Sequence, residues 1–488
     1  MTDKVVLGKL STGVAGLDVL LGGGLNEFSF NLISGAPGCG KTTMAHQIMF
    51  ALANGERRAL FFTVLGEPTL KMLRYQQQYS FFDMDKVGSA IRYVNLTADL
   101  RAGDFNGVLE RITKEVEDFG PSLVFVDSFR SVIQTGRGGN EGASELQSFV
   151  QELGTRMTSW MATTFLIGEY QQNEIEANPI MTVADGMLAL SQQHEGDAVV
   201  RKIRVVKMRG QAHMGGSHTF RITSDGLRIY PRLLPPLAAD HHEGAAVDTE
   251  PRRIPTGTPG LDDMLHGGLP QGHSMLAIGP TGCGKTIMGT RFLQMGVELG
   301  EPGVVMCFEK GTARMRNAQL AAMVAAGMVT VIESRRIDLT MEELEDELLA
   351  LIDRTGARRV VIDSLSEMSL YLTPEGTRNL REGVFRMLSS LARRGVTVLM
   401  TTGLNDRTLN MNYARADLAY ITDAMVAMRY AEVDGQVRRY IAVVKVRGSN
   451  HSADLREYCI TDEGIEIDPI AAPVNGVLFG RTDTNSTE

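Results

Sequence analysis

The octet GAPGCGKT at 35–42 returns as GPTGCGKT at 279–286. Both fit G-x-x-x-x-G-K-T, in which glycines let backbone N–H groups curl around phosphates and the N-terminus of the following helix adds a favourable dipole. The implied ligands are ATP and Mg²⁺. Lys41 and Lys285 are expected to reach the β- and γ-phosphates as catalytic cations, and the Thr42 and Thr286 hydroxyls to serve the metal. Gly35, Pro37, Gly38, Cys39, Gly40 and Thr43 complete the first cradle; Gly279, Thr281, Gly282, Cys283, Gly284 and Ile287 complete the second. Cys39 and Cys283 read as small tolerated side chains, with a redox switch the weaker alternative.

Other groups are candidates to complete the chemistry. Asp127 closes the apolar run LVFVD and Asp363 closes VVID, where a phosphate-loop ATPase places the aspartate that orients Mg²⁺ and its waters. Capping of the next helix is the competing role, and the presence of a phosphate loop favours the metal. Hydrolysis also needs a carboxylate to polarise water, expected at the end of the strand after the phosphate-loop helix. VVMCFEKG presents Glu309 there; in FFTVLGEP, Leu65 and Gly66 precede the one acidic candidate, Glu67. Finally, KMRG (Lys207, Met208, Arg209, Gly210) with His213, and KVRG (Lys445, Val446, Arg447, Gly448) with His451, recur at matching places. A solvated basic strand edge is the plain reading. Their repetition favours nucleotide contact across a subunit interface, where such ATPases often receive a cation.

These groups need strands and helices to hold them. FSFNLISG leads into the first loop, and Met44, Ile48 and Leu52 stripe the helix that follows; SMLAIG and the stripe Ile287, Met288, Phe292, Met295, Leu299 do the same in the second. Apolar strands alternate with amphipathic helices in both halves, which predicts α/β architecture: tandem phosphate-loop NTPase domains of RecA-like type, each a mainly parallel sheet flanked by helices. VRKIRVVKMRG and VRRYIAVVKVRG are expected to add antiparallel strands. In LTMEELEDELLALIDRTG, Leu344, Leu348, Leu351 and Ile352 form one stripe and the glutamates opposite are expected to be solvated.

The halves are copies. LSTGVAGLDVLLGGGL matches IPTGTPGLDDMLHGGLP, and the loop, aspartate and K-x-R-G blocks follow in the same order, so a domain has been duplicated. We divide the chain into 1–240, a linker at 241–253, 254–475 and a polar tail at 476–488.

Composition narrows the function classes. The 488 residues are 43% hydrophobic and 22% charged, with a formal net charge of −9, which offers no general attraction for nucleic acid or anionic membranes. The four cysteines are scattered, without a C-x-x-C pair, so a disulfide framework or zinc ribbon is not indicated and a reducing cytoplasm fits. No signal peptide is read at the start, and no run of about 18 apolar residues suggests a membrane span.

The ordered blocks TGVAGLDVLLGGGL, GAPGCGKT, FVDS and KMRG, then TGTPGLDDMLHGGL, GPTGCGKT, VIDS and KVRG, resemble the double-domain KaiC family of RecA-like ATPases over roughly residues 8–470. The resemblance implies a two-tiered homohexamer with ATP at subunit boundaries, ATPase activity in the N-terminal tier, autokinase activity in the C-terminal tier of clock members, and KaiB-like or signalling partners. Two departures mark a variant outside the clock type. Where clock members carry Glu-Glu after the second strand, this chain reads Leu65-Gly66 and Glu309-Lys310; where they carry adjacent Ser and Thr acceptors, it reads Ala419 and Tyr420. A self-assembling regulatory ATPase is the expected function. The alternatives are a Ser/Thr autokinase of the KaiC type and, opposed by the acidic balance, a DNA-dependent ATPase.

Overall fold

The computed structural model describes residues 8–63, 69–101, 105–127, 140–169, 183–232, 252–308, 318–333, 338–403 and 416–472. It divides into two compact units, Met1–Arg232 and Leu233–Glu488.

In the first unit, β1 (Phe30–Gly35) enters the loop and α1 (Lys41–Leu52) leaves it. There follow β2 (Ala59–Thr63), β3 (Ile91–Asn95), β4 (Leu123–Asp127), β5 (Thr163–Gly168), β6 (Gly186–Glu195), β7 (Ala198–Met208), β8 (His218–Thr223) and β9 (Gly226–Tyr230). They form a nine-stranded sheet ordered β9-β8-β7-β6-β1-β5-β4-β2-β3. From β3 to β6 every pair is parallel, and β7, β8 and β9 add on antiparallel. FNLISG and ALFFT are buried at every position, as strands covered on both faces must be.

The second unit repeats this topology. β10 (Ser274–Gly279) and α2 (Lys285–Glu298) flank its loop. Next come β11 (Gly303–Cys307), β12 (Val329–Glu333), β13 (Arg359–Asp363), β14 (Thr397–Gly403), β15 (Ala424–Val433), β16 (Gln436–Val446), β17 (Leu455–Thr461) and β18 (Gly464–Ala471). The order is β12-β11-β13-β14-β10-β15-β16-β17-β18. The α/β class and the antiparallel additions are as expected. Periodicity alone left the parallel edge strands β3 and β12 unassigned, because IRYVN and VTVIE are short and only partly buried.

One expectation is corrected. The helix α3 (Met341–Thr355) forms as the leucine stripe predicts, with a Thr340–Glu343 capping box and Gly356 left-handed at its end. Its glutamate face is not wholly solvated, however. Glu343 and Glu345 are buried, Ser390 donates to Glu345 at 2.8 Å, and the buried Arg386 donates to Glu342 at 2.7 Å. Burial pushes the Glu345 carboxyl upward, against the Ser390 hydrogen bond. The helix that carries Arg386 and Ser390, Leu380–Arg393, packs across that face, which a one-dimensional stripe cannot reveal.

A candidate nucleotide site at the strand ends

Parallel pairing brings the carboxyl ends of the central strands to one edge, where open α/β sheets bind ligands. Thr63 is registered against Asp127, Asp127 against Ile167, and Ser34 against Gly168. The loop after β1 opens onto this edge. Gly38 and Gly40 hold φ of 77° and 103°, and Gly282 and Gly284 hold 79° and 100°, values that L side chains rarely adopt. At Gly40 space is closed too: a Cβ would lie 2.7 Å from Ile222 Cδ1. Both helices begin at the loop lysine, so their first N–H groups face the edge.

Within each loop the lysine is held by the turn's own carbonyls. Lys41 Nζ donates to the Ala36 carbonyl at 2.8 Å; Lys285 Nζ donates to those of Gly279 and Pro280 at 2.9 and 2.7 Å. Thr42 Oγ1 donates to Asp127 Oδ2 at 2.7 Å, and Thr286 Oγ1 to Asp363 Oδ2 at 2.8 Å. A hydroxyl and a carboxylate side by side beside a phosphate cradle are hard oxygen donors of the kind Mg²⁺ takes. Among the described residues no group of three or more His, Cys, Asp or Glu side chains could hold a metal. A cavity of about 380 Å³ lies over the first loop, bounded by Lys41, Thr42, Thr63, Asp127 and Glu169 among others.

The two sites differ in their supports. Thr401 on β14 also donates to Asp363, whereas its counterpart beside Asp127 is the apolar Ile167. Tyr458 donates to the Cys283 carbonyl at 2.6 Å and Tyr430 to that of Thr281 at 3.4 Å, so two phenols brace the second loop. Phe220 and Gln192 stand at the matching strand positions of the first unit.

His46 and Thr290 both back-bond one turn into the helix. Thr290 Oγ1 donates to the Thr286 carbonyl at 3.0 Å; His46 Nδ1 lies 2.8 Å from that of Thr42 and must carry the proton, since a carbonyl only accepts. His46 is fully buried, which lowers its pKa from 6.5 to about 4 despite that hydrogen bond. The unfolded chain therefore takes up its proton near 6.5 and the folded unit only near 4, so stability is complete above the first value and falls towards the second. We expect about 2 kcal/mol to be lost from this source by pH 5. Urea unfolding at pH 7 and pH 5 should show a smaller difference in His46→Gln than in the parent; an unchanged difference would refute the assignment.

Several expected site residues lie elsewhere. The Cys39 and Cys283 side chains are fully buried beneath their loops, where burial raises both thiols against the lowering pull of Lys41 and Lys285, so only backbone faces a ligand there. Met208 and Val446 likewise point into the hydrophobic cores. Neither K-x-R-G unit meets the loop of its own unit. Lys207 is registered against Met187, at the start of β6 and hence at the opposite edge of the sheet, and Arg209 pairs with Asp185 at 3.2 Å. Lys445 Nζ donates to the Thr422 carbonyl at 2.6 Å, and Arg447 lies 4.0 Å from Asp423. Burial, then the adjacent arginine, lowers both lysines. Gly210 and Gly448 are left-handed, His213 is exposed, and His451 Nδ1 lies 2.9 Å from the Ser452 carbonyl. Glu67 and Glu309 lie outside the described residues. Glu169, which the motif reading passed over, lines the first cavity; only its place after the apolar run TTFLIG hinted at it.

Duplicated sheets of this order, each with a phosphate loop and a Thr–Asp pair at its carboxyl edge, define a tandem RecA-like nucleotide-binding protein. A family model described as "ATPase: KaiC" matches residues 10–233 and again 254–472, and the chain belongs to that family. The Circadian clock oscillator protein KaiC of Rippkaea orientalis is 28% identical over 479 residues, 93% of this chain and 88% of that one. Circadian clock protein KaiC3 of Synechocystis sp. is 28% identical, covering 97% of this chain and 94% of its own length. Circadian clock oscillator protein KaiC 1 of the same organism is 27% identical, covering 94% and 89%. This is thus an ATP-binding, KaiC-like protein. Among the described residues no helix is long and apolar enough to cross a membrane.

Proposed function

We propose that the chain hydrolyses ATP as a homohexameric ring, each unit binding MgATP with its own loop while a neighbouring chain supplies the K-x-R-G cations. The observation that carries this reading is the separation within each unit: lysine, threonine and aspartate meet at one sheet edge, and the arginine is displayed at the other. Lys41 and Lys285, with the loop amides, would hold the phosphates in line. Thr42 with Asp127, and Thr286 with Asp363, would hold Mg²⁺, which when bound neutralises charge on the β- and γ-phosphate oxygens. Glu309 is our candidate for water activation in the second unit. The hexameric count rests on the family resemblance. The proposal includes a regulatory role, in which KaiB-like or signalling partners read the ATP and ADP occupancy of the ring; its support is the likeness to proteins named as circadian clock proteins. Ala419 and Tyr420 lack the paired aliphatic hydroxyls of an autokinase, so no phosphotransfer is assigned there.

The test is light scattering with and without ATP and Mg²⁺, alongside ATP turnover of the parent and Glu309→Gln. Assembly to six chains on adding MgATP, with part of the turnover lost in the variant, is the expected result. A protein that stays monomeric, or consumes no ATP, overturns the proposal.

A further inference from the structure

The block LSTGVAGLDVLLGGGL opens the repeat, and in the first unit its end grips the segment that carries Arg209. Gln211 Nε2 donates to the carbonyls of Leu21 and Gly24 at 2.7 and 3.0 Å, and the Met214 N–H donates to that of Leu20 at 2.8 Å. Asn26, itself buried, donates from Nδ2 to the Arg209 carbonyl at 3.0 Å. The Arg209 N–H donates to the Asp185 carbonyl at 2.8 Å, so the backbone of the arginine is fixed on both sides. Gly210, next in the chain, is left-handed and turns the backbone at once.

Asp185, which immediately precedes β6, fixes the side chain as well. Arg209 Nη1 donates to its Oδ1 at 3.2 Å, its Oδ2 accepts from the Phe30 N–H at 3.0 Å, and its own N–H donates to the Phe30 carbonyl at 2.7 Å. Phe30 opens β1, a strand buried at every position, so this carboxylate is anchored to the core. The second unit builds the same anchor. Ser274, which opens β10, donates to Asp423 Oδ2 from its N–H at 2.9 Å and from Oγ at 2.8 Å, and the Arg447 N–H donates to the Asp423 carbonyl at 2.8 Å. There, however, the guanidinium stands 4.0 Å from the carboxylate and donates to the Tyr420 carbonyl. A carboxylate within hydrogen-bond distance of the K-x-R-G arginine is thus a feature of the first unit.

An exposed arginine has several rotatable bonds, whereas a cation meant for a phosphate must be held to within about 0.5 Å. Five N–H donors in a planar fork let a guanidinium keep a carboxylate on one edge and meet a phosphate on another. We propose that Asp185 is a positioning residue for the Arg209 cation: its carboxylate sets where that guanidinium stands when a neighbouring chain presents its phosphate. This rests on the reading of Arg209 as a cation delivered to a neighbour's site.

The test is ATP turnover by the full chain carrying Lys285→Ala, which confines hydrolysis to the first unit, with Asp185→Asn, Arg209→Ala or both added. Asparagine keeps an oxygen for the Phe30 N–H and replaces the other with an NH₂ group, which cannot accept from Arg209. Asp185→Asn should lower kcat by about tenfold to a hundredfold with KM for ATP within about twofold of the parent, the loss expected when a catalytic group is misplaced. Added to Arg209→Ala it should lower nothing further, because both changes act through one group. Mixing locates the effect. Asp185→Asn chains keep an intact loop and Asp127→Asn chains a well-placed arginine, so rings containing both should turn over ATP faster than either alone. A structural lesion passed along β1 to the variant's own loop would not be rescued in this way. Where Arg209→Ala is impaired and is rescued by the same partner, losses that add, a kcat of Asp185→Asn within about twofold of the parent, or no gain on mixing overturns this assignment alone. An Arg209→Ala chain at the parental rate, or one that mixing does not rescue, overturns the underlying reading with it.

Discussion

Replacing Arg209 or Arg447 by alanine should cut the ATP turnover of the corresponding units by about a thousandfold, the usual worth of an arginine delivered to a γ-phosphate. The physical reason is placement. In both units the guanidinium stands at the sheet edge opposite its own loop, beside Asp185 or Asp423. Its charge stands far from the loop of its own unit, and under the proposed ring assembly its catalytic effect falls on the site of a neighbouring chain. Both arginines are more than half exposed, and ion pairs made by exposed side chains contribute about 1 kcal/mol or less, so folding should be nearly untouched. A mixing experiment decides the point. Chains with Arg209→Ala keep an intact loop, and chains with Asp127→Asn keep an intact arginine; rings co-assembled from both contain complete interfaces. Turnover in the mixture above either variant alone is expected. A mixture no more active than its parts, or an alanine variant at the parental rate, refutes delivery from a neighbour.

Glu301→Ala should destabilise the second unit by about 3–5 kcal/mol, a shift of roughly 10 °C in its thermal unfolding, without removing any group from the loop. Arg359 opens β13 with its side chain only 1% exposed. Nε donates to Glu301 at 2.9 Å, Nη1 donates to the carbonyls of Pro255 and Phe292 at 2.7 and 3.1 Å, and the guanidinium lies 4.8 Å from the Phe292 ring centre. Burial pulls the guanidinium pKa down, and Glu301 is the chief opposing influence. Without that carboxylate a charge stays in the core with carbonyl dipoles, the Phe292 ring and the attraction of Asp262 to offset its lost hydration. Close packing leaves no escape: a Cβ at Gly296 of α2 would come within 2.6 Å of Arg359 Cδ. The double variant Glu301→Leu, Arg359→Met removes both charges and should be less damaging than Glu301→Ala alone. A Glu301→Ala unfolding temperature within about 2 °C of the parent would show that the ion pair carries little.

This ion pair also shows where duplication stops being symmetric. Counting back from the strand-end aspartate, Arg359 corresponds to Leu123, so the first unit closes the same place with apolar packing. The same divergence runs through His46 and Thr290, Phe220 and Tyr458, and Glu169 and Gly403. Each exchange leaves the loop's letters unchanged and alters what stands behind them.

The sequence by itself determined the loops, their strand-to-helix setting, the α/β class and the repeat, because each is written within about ten neighbouring residues as a turn requirement or an apolar period. It also named Asp127 and Asp363, since a strand ending in aspartate is a local pattern. Only the tertiary structure decided that Glu169 joins Lys41 and Asp127, that Glu343 and Glu345 are covered, and that Arg209 and Arg447 turn away from their own loops. Those outcomes depend on which strand lies beside which and on the register of each pair. β5 is inserted next to β1 from more than a hundred residues away, and no local periodicity records that choice.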